Sequence, residues 1–263
     1  MRKIFTLLCC MLFAAQYSLV KAQTATMKIW KDGSVAASYS SADVDSVTFE
    51  TNDMQYLGDG VYLSHGHKFI DLDLPSGILW AETNIGAETA ADEGIFFAWG
   101  ETDMTQKSSY GWDTYKYGSS SSDLTKYNST DGKTVLDDED DAAHVNWGVP
   151  CRMPTAEEFE ELRNSDNCTW SWTSRVTSSG TTIKGYRITS NTNGNVIFLP
   201  AAGYYLNDEH SFQNTNGYYW TNTLKTVNYA NYLYFHNSGR GVDNFYRYGG
   251  RSIRPVAEAI DLE

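Results

Sequence analysis

The sequence predicts an α+β domain of mostly antiparallel strands with one or two short helices, plus a small N-terminal β appendage. Three observations predict it. Aromatic-rich runs at Tyr218–Thr223, Tyr229–Phe235, Phe245–Tyr248 and Ser252–Val256 alternate with short polar connections, as in an antiparallel meander. Asn193-Gly194, between Gly185–Ser190 and Val196–Pro200, is a strong hairpin signal, because both residues tolerate positive φ. One helix start is explicit: Thr155 with Glu158 forms a capping box, in which hydroxyl and carboxylate each answer the other residue's amide.

In chain order, Arg2 and Lys3, the apolar run Ile4–Ala15 and Val20-Lys21-Ala22 read as an export signal cleaved before Gln23. The run is too short to span a bilayer. Cys9 and Cys10 lie inside it, where lipid attachment is not expected. Residues 1–22 are therefore read as a signal peptide, 23–55 as the β appendage, 56–257 as the main domain and 258–263 as an acidic tail. The expected location is secreted or cell surface. In the appendage, Met27–Trp30 and Val44–Phe49 read as strands with Asp32-Gly33 as a turn; such a ribbon is marginal alone.

In the main domain, Phe69–Leu74 and Ile78–Glu82 read as strands joined by Pro75-Ser76-Gly77, and Ile95–Trp99 is a further apolar run. Thr102–Asn128 is a long polar excursion carrying Trp112, Tyr115 and Tyr117; a loop of that length is usually functional or disordered. The capping box predicts a helix from Ala156 to about Arg163, with Phe159 and Leu162 on its apolar side. Trp170 and Trp172 fall on one strand face, as do Leu233 and Phe235, with Tyr232 and Tyr234 opposite the latter pair.

The chain has 20 basic and 33 acidic residues. Removing the signal leaves 17 basic residues, a net charge of about −16, which repels phosphate backbones and argues against a nucleic-acid partner. It also leaves only Cys151 and Cys168, which in an oxidising compartment are expected to form a disulfide. Asp137-Asp138-Glu139-Asp140-Asp141 offers hard oxygens for calcium but lacks the spacing and glycine of a calcium loop. The acidic run reads instead as a solvated turn whose last Asp caps a short helix through Ala142-Ala143. His65-Gly66-His67 has no third ligand nearby and reads as an exposed loop. No metal or other cofactor is expected. No Gly-x-Ser-x-Gly elbow is present. Paired carboxylates of a glycosidase stay open, since their spatial pairing is invisible in sequence.

The ordered series IDLDLPSGILWAETNIGA, FAWGET, DDAAHVNWGVPCRMPTAEEFEEL, CTWSW, IFLPAAGY, YYWTNT and SIRPV, over roughly residues 60–257, resembles the Fibrobacter succinogenes major paralogous domain family. The resemblance implies a C-type-lectin-like fold, distantly similar to formylglycine-generating enzymes, with first and last strands close together. It implies an exported location and no assigned activity. Cys151 stands where many relatives carry Trp. The C-terminal cysteine pair that the enzymatic relatives need is missing, as is the Glu-Pro-Asn or Gln-Pro-Asp triplet of calcium-dependent lectins. Arg247 and Arg254 match the family's closing arginines and are expected to tie the last strands together internally.

The functional expectation is a non-enzymatic recognition module for a glycan or a surface protein. Its ligand is placed on the connections His236–Asn244 and Asn207–Asn216, whose mix of rings and small polar groups suits recognition. The candidate contacts are Trp112, Tyr115, Tyr205, Asn237, Arg240, Asp243, Asn244 and Tyr246. The alternative is a structural part of a surface or fimbria-like assembly joined by strand addition; an enzyme is the third reading. A binder should present an exposed aromatic cluster, an assembly part an unpaired edge near Met27–Phe49, and an enzyme a pocket with convergent perturbed groups.

Overall fold

The structure, a computed structural model, describes residues 26–31, 34–43 and 53–259. The chain divides into two compact units, Met1–Glu50 and Thr51–Glu263. In the first, β1 (Thr26–Lys31) pairs antiparallel with β2 (Ser34–Ser40), Thr26 opposite Ser40, with a register shift between Ile29 and Trp30. The signal peptide, the Asp32-Gly33 turn, the Val44–Phe49 strand and the end of the acidic tail lie outside the described residues.

The second unit opens with β3 (Gln55–Gly58), β4 (Val61–Ser64), β5 (His67–Asp71) and β6 (Ile78–Ala81). Between β5 and β6, Gly77 supplies the positive φ of +70° and its amide closes the turn on the Leu74 carbonyl at 2.8 Å. Helix α1 (Ala142–Trp147) follows the acidic run, and the Asp141 carboxylate caps it by accepting from the Ala143 and His144 amides. Next come β7 (Cys151–Arg152) and α2 (Ala156–Arg163), where both halves of the Thr155–Glu158 capping box form. Then follow β8 (Cys168–Val176), β9 (Thr182–Ser190), β10 (Val196–Pro200), β11 (Tyr204–Leu206) and β12 (Glu209–Ser211). The chain closes with β13 (Asn216–Thr226), β14 (Tyr229–His236), β15 (Gly239–Tyr246) and β16 (Val256–Glu258).

These strands make a six-stranded sheet (β3-β4-β5-β6-β16-β7), two three-stranded sheets (β10-β9-β8 and β13-β14-β15) and the β11-β12 pair. Every named pairing is antiparallel. The late strand β16 sits between β6 and β7, with Val256 opposite both Trp80 and Arg152. The β13-β14-β15 sheet divides two cores by strand parity. Tyr219, Leu233 and Phe235 join Trp80, Phe159 and Leu162 on one side. Trp220, Ala230 and Tyr232 join Phe97, Trp99 and Tyr127 on the other.

The C-type-lectin-like α+β expectation is corrected here. Among the described residues, strands take 44% and helical segments 9%, in several antiparallel sheets with two α-helices. The local reason is that helix-forming runs stop within two turns. The first ends at Gly148, φ +75°, and the second at Asn164 in extended backbone. The disulfide is corrected too: Cys151 and Cys168 are both free and buried. Each faces a different core, Cys151 among Trp147 and Met153, Cys168 among Leu162 and Ile188. Burial pushes their thiols up to about 12 and about 11, so both serve as small apolar side chains.

The run 95–100 is a buried connection whose carbonyls are taken mostly by side chains. Tyr110 Oη donates to the Phe96 carbonyl (2.6 Å), Trp220 Nε1 to Phe97 (2.8 Å), Tyr115 Oη to Trp99 (2.8 Å) and Tyr117 Oη to Gly100 (3.1 Å). This is how a long irregular excursion is held without strands of its own: buried backbone groups must find partners, and here tyrosines supply them. Asp140 is the second anchor. Buried in the same region, it accepts from Tyr117 Oη, Tyr127 Oη (2.7 Å), Lys116 Nζ (3.0 Å) and Lys126 Nζ (2.5 Å). Burial works against its ionised form, yet these donors outweigh it and hold Asp140 well below the usual carboxylate range.

Candidate functional site

The candidate contacts do not assemble into one loop surface, and the reason is register. The stretch read as the connection His236–Asn244 is mostly strand. Gly239 pairs with His236 and Tyr246 with Tyr229, so only Asn237 and Ser238 form the turn. Six residues along β15 separate Arg240 from Tyr246, about 20 Å at the rise of a strand. Asn237 and Arg240 therefore sit at one end of the hairpin, and Asn244 and Tyr246 at the other. Asp243 is exposed beside them on the opposite strand face, across from Tyr232. The Asn207–Asn216 connection is likewise interrupted by β12.

Tyr115 and Tyr205 pack against other side chains, away from the hairpin tip. Tyr115 is buried and bonded at its hydroxyl both to the Trp99 carbonyl and from Arg247 Nε (2.6 Å). Tyr205 lies on β11, stacked on His210 at 4.3 Å and edge-on to Phe96 at 4.9 Å. Tyr115 is therefore closed to a ligand, while Tyr205 is half-buried.

The candidates that meet are Trp112, Tyr115 and Tyr246, with Trp112 edge-on to Tyr115 at 5.9 Å and to Tyr246 at 6.3 Å, and Asn244 at the margin. Tyr229 and Tyr248 complete the group. Tyr246 stacks on Tyr248 at 5.2 Å and 14°, Tyr229 lies 4.6 Å from Tyr246, and Trp112 meets Tyr248 edge-on at 4.8 Å. All four rings are half-buried. Among the described residues neither Trp112 Nε1 nor the Tyr248 hydroxyl is hydrogen-bonded or enclosed. Asn231 and Asn244 form the next cross-strand pair on the same face, setting amides beside the rings. Sequence reading missed Tyr229 and Tyr248 as site residues, because their part depends on the pairing of Tyr229 with Tyr246.

Behind this platform lie the closing arginines. Arg247 is fully buried and donates to Tyr115 Oη and to the carbonyls of Tyr127 (2.9 Å), Val227 (3.1 Å) and Lys126 (3.1 Å). Arg254 donates to Asn84 Oδ1 (2.8 Å) and to the carbonyls of Ala81, Glu82 and Phe198. Their internal role is as expected, but they tie residues 115–127, the turn at Val227, residues 81–84 and β10, not the last strands to one another. Arg251 differs: its guanidinium carbon sits 4.2 Å from the Trp220 ring centre and 4.3 Å from that of Tyr232, while Nε and Nη1 have no acceptor. Burial pushes it down to about 10, and the ring faces stand in for a counter-ion.

The acidic run is closed by its own cation. Asp137, Glu139 and Asp140 bring carboxylate oxygens within 4.8 Å of one another, and Lys126 Nζ lies 2.9, 2.6 and 2.5 Å from them. Among the described residues, carboxylates line several clefts, Glu101 and Asp103 in one and Asp59, Asp71 and Asp73 in another. A third, of about 510 Å³, is lined by Glu93, which burial pushes above the usual carboxylate range, and by Asp92. Asp92 is fully engaged: Ser178 and Thr89 donate to its two oxygens from amide and hydroxyl. Glu93 is thus left without a free carboxylate partner.

A family model described as a domain of unknown function (DUF8237) matches residues 175–256. That span holds β9 to β15 and three of the four platform rings, Tyr229, Tyr246 and Tyr248. No curated protein and no solved structure matches the chain. Among the described residues, no helix is long and apolar enough to cross a membrane.

Proposed function

We propose that this chain is an exported, non-enzymatic recognition module that binds a glycan on the Trp112–Tyr229–Tyr246–Tyr248 platform. The observation that carries the reading is the pair of stacked, half-exposed rings with amides on the same strand face. Aromatic faces bind the apolar faces of sugar rings, and Asn231 and Asn244 offer donors and acceptors at the margin. Covering about 100 Å² of ring surface contributes roughly 2.5 kcal/mol. The test is a glycan array probed with the wild type and with a Trp112→Ala, Tyr246→Ala, Tyr248→Ala triple variant. The variant is expected to bind at least tenfold more weakly to whatever glycan the wild type selects. Unchanged binding would place the ligand elsewhere.

A second reading has its own observation. The β1–β2 ribbon is a sheet of two strands with Ile29, Val35 and Tyr39 exposed at 47%, 42% and 46%. Such an edge accepts a further strand, as an assembly subunit would require. Deleting residues 23–43 separates the two readings: glycan binding survives under the first, and self-association or partner capture is lost under the second.

A further inference from the structure

We infer that the cleft at the C-terminal end of α2 is a second ligand subsite, one that takes the carboxylate of a sugar acid through Arg240 and Arg163. This rests on the glycan reading above and specifies its ligand.

Arg240 has no carboxylate partner among the described residues. It projects from β15 opposite Phe235, and its guanidinium carbon lies 5.0 Å from the centre of the Trp170 ring. Its Nη2 has a single long bond, 3.4 Å to the Arg163 carbonyl, and its Nε is enclosed with no acceptor. It forms no ion pair among the described residues. The carboxylate that lines the cleft, Glu160, is already bonded to Arg163 Nε. A half-buried guanidinium in a strongly acidic chain would ordinarily collect one of its many carboxylates. This one is held against an indole with its fork left open.

The rest of the cleft is donor-rich. Asn164 uses its side-chain oxygen on the Asp166 amide, which leaves its Nδ2 donors uncommitted. Arg163 keeps its terminal nitrogens, and Ser165 its hydroxyl. A planar oxyanion matches forked guanidinium donors. The cleft, about 480 Å³, falls within the range of small-ligand sites. Net charge selects among anions: a chain at −13 repels polyanions at a distance but admits a single carboxylate on a neutral sugar. Position links the two subsites as well, because Arg240 and Tyr246 lie on the same face of β15 by strand parity.

The test uses the ¹⁵N-labelled full chain, with the Trp170 indole and Arg240 Nε–H signals as reporters. The probes are glucuronate, its uncharged amide and glucose. Glucuronate is expected to shift both signals and to bind at least tenfold more tightly than glucuronamide, with the preference weakened by added salt. Arg240→Gln is expected to abolish that preference and Arg163→Gln to reduce it. Should Arg240→Gln disturb the fold, Arg163→Gln carries the test, since that side chain sits at the exposed helix end. Equal binding of glucuronate and glucuronamide overturns the inference, as does a preference that survives both substitutions. Glycan binding at the platform with no glucuronate response at Trp170 sinks this inference alone. A glucuronate response with an inert platform sustains it and sinks the platform instead.

Discussion

The excursion between Thr102 and Leu136 and the β13-β14-β15 meander are both rich in tyrosine, and they use it in opposite ways. In the excursion, Tyr110, Tyr115, Tyr117 and Tyr127 are buried, and each hydroxyl bonds a backbone carbonyl or Asp140. The hydroxyls replace the ladder that strands would have provided. In the meander the ladder satisfies the backbone, so the outer rings at Tyr229 and Tyr246 are not needed for that purpose. A tyrosine on a regular strand can face a ligand because its backbone is already paired. A tyrosine beneath an irregular loop cannot.

The largest test of this contrast is Arg247, which gathers the excursion's Tyr115, Lys126 and Tyr127 around one guanidinium. Arg247→Met leaves those buried acceptors unpaired and is expected to cost about 3–5 kcal/mol in urea unfolding. A cost under about 1 kcal/mol would mean that the excursion is held elsewhere.

Asp140→Asn should cost somewhat less, roughly 2–4 kcal/mol, because Lys126 keeps Asp137 and Glu139 as partners. Its pH signature sharpens the point. Asp140 titrates below its ordinary value of 3.8 in the folded chain, so its contribution is present in full above that pH. It is lost as pH falls from there toward the folded-state value. The wild type should therefore lose stability below about pH 4 more steeply than Asp140→Asn. Parallel acid profiles would show that Asp140 is not the anchor.

The smallest effect is expected at the tip of the meander. Asn237 is exposed in a two-residue turn with no side-chain bond among the described residues, so Asn237→Ala should stay within about 0.5 kcal/mol by thermal melt. A larger loss would mean that this turn sets the β14–β15 register.

Much of the strand layout was legible in the sequence. Tyr218–Thr223 and Tyr229–Phe235 lie within β13 and β14, and Asn193-Gly194 lies in the turn that joins β9 to β10. The Thr155 box starts α2, and Asp141 caps α1. These are local signals, decided by alternation or by one side chain reaching a nearby amide. The site was less legible. Asn237 and Asn244 are seven positions apart and read as one loop, yet pairing with His236 through Tyr229 turns most of that loop into strand.

What the sequence determined by itself is therefore local: strand alternation, turn chemistry, helix caps, and beside these an acidic charge balance. Tertiary structure alone decided the rest. It assigned Cys151 and Cys168 to different cores, put Lys126 among the acidic run's carboxylates, and left Arg251 among rings instead of acids. It also chose which tyrosines face outward. The physical reason is that each of these outcomes depends on which distant group arrives to satisfy a buried charge, thiol or carbonyl. Those partners lie from 11 residues away, as Asp137 from Lys126, to 132, as Arg247 from Tyr115, beyond any local pattern.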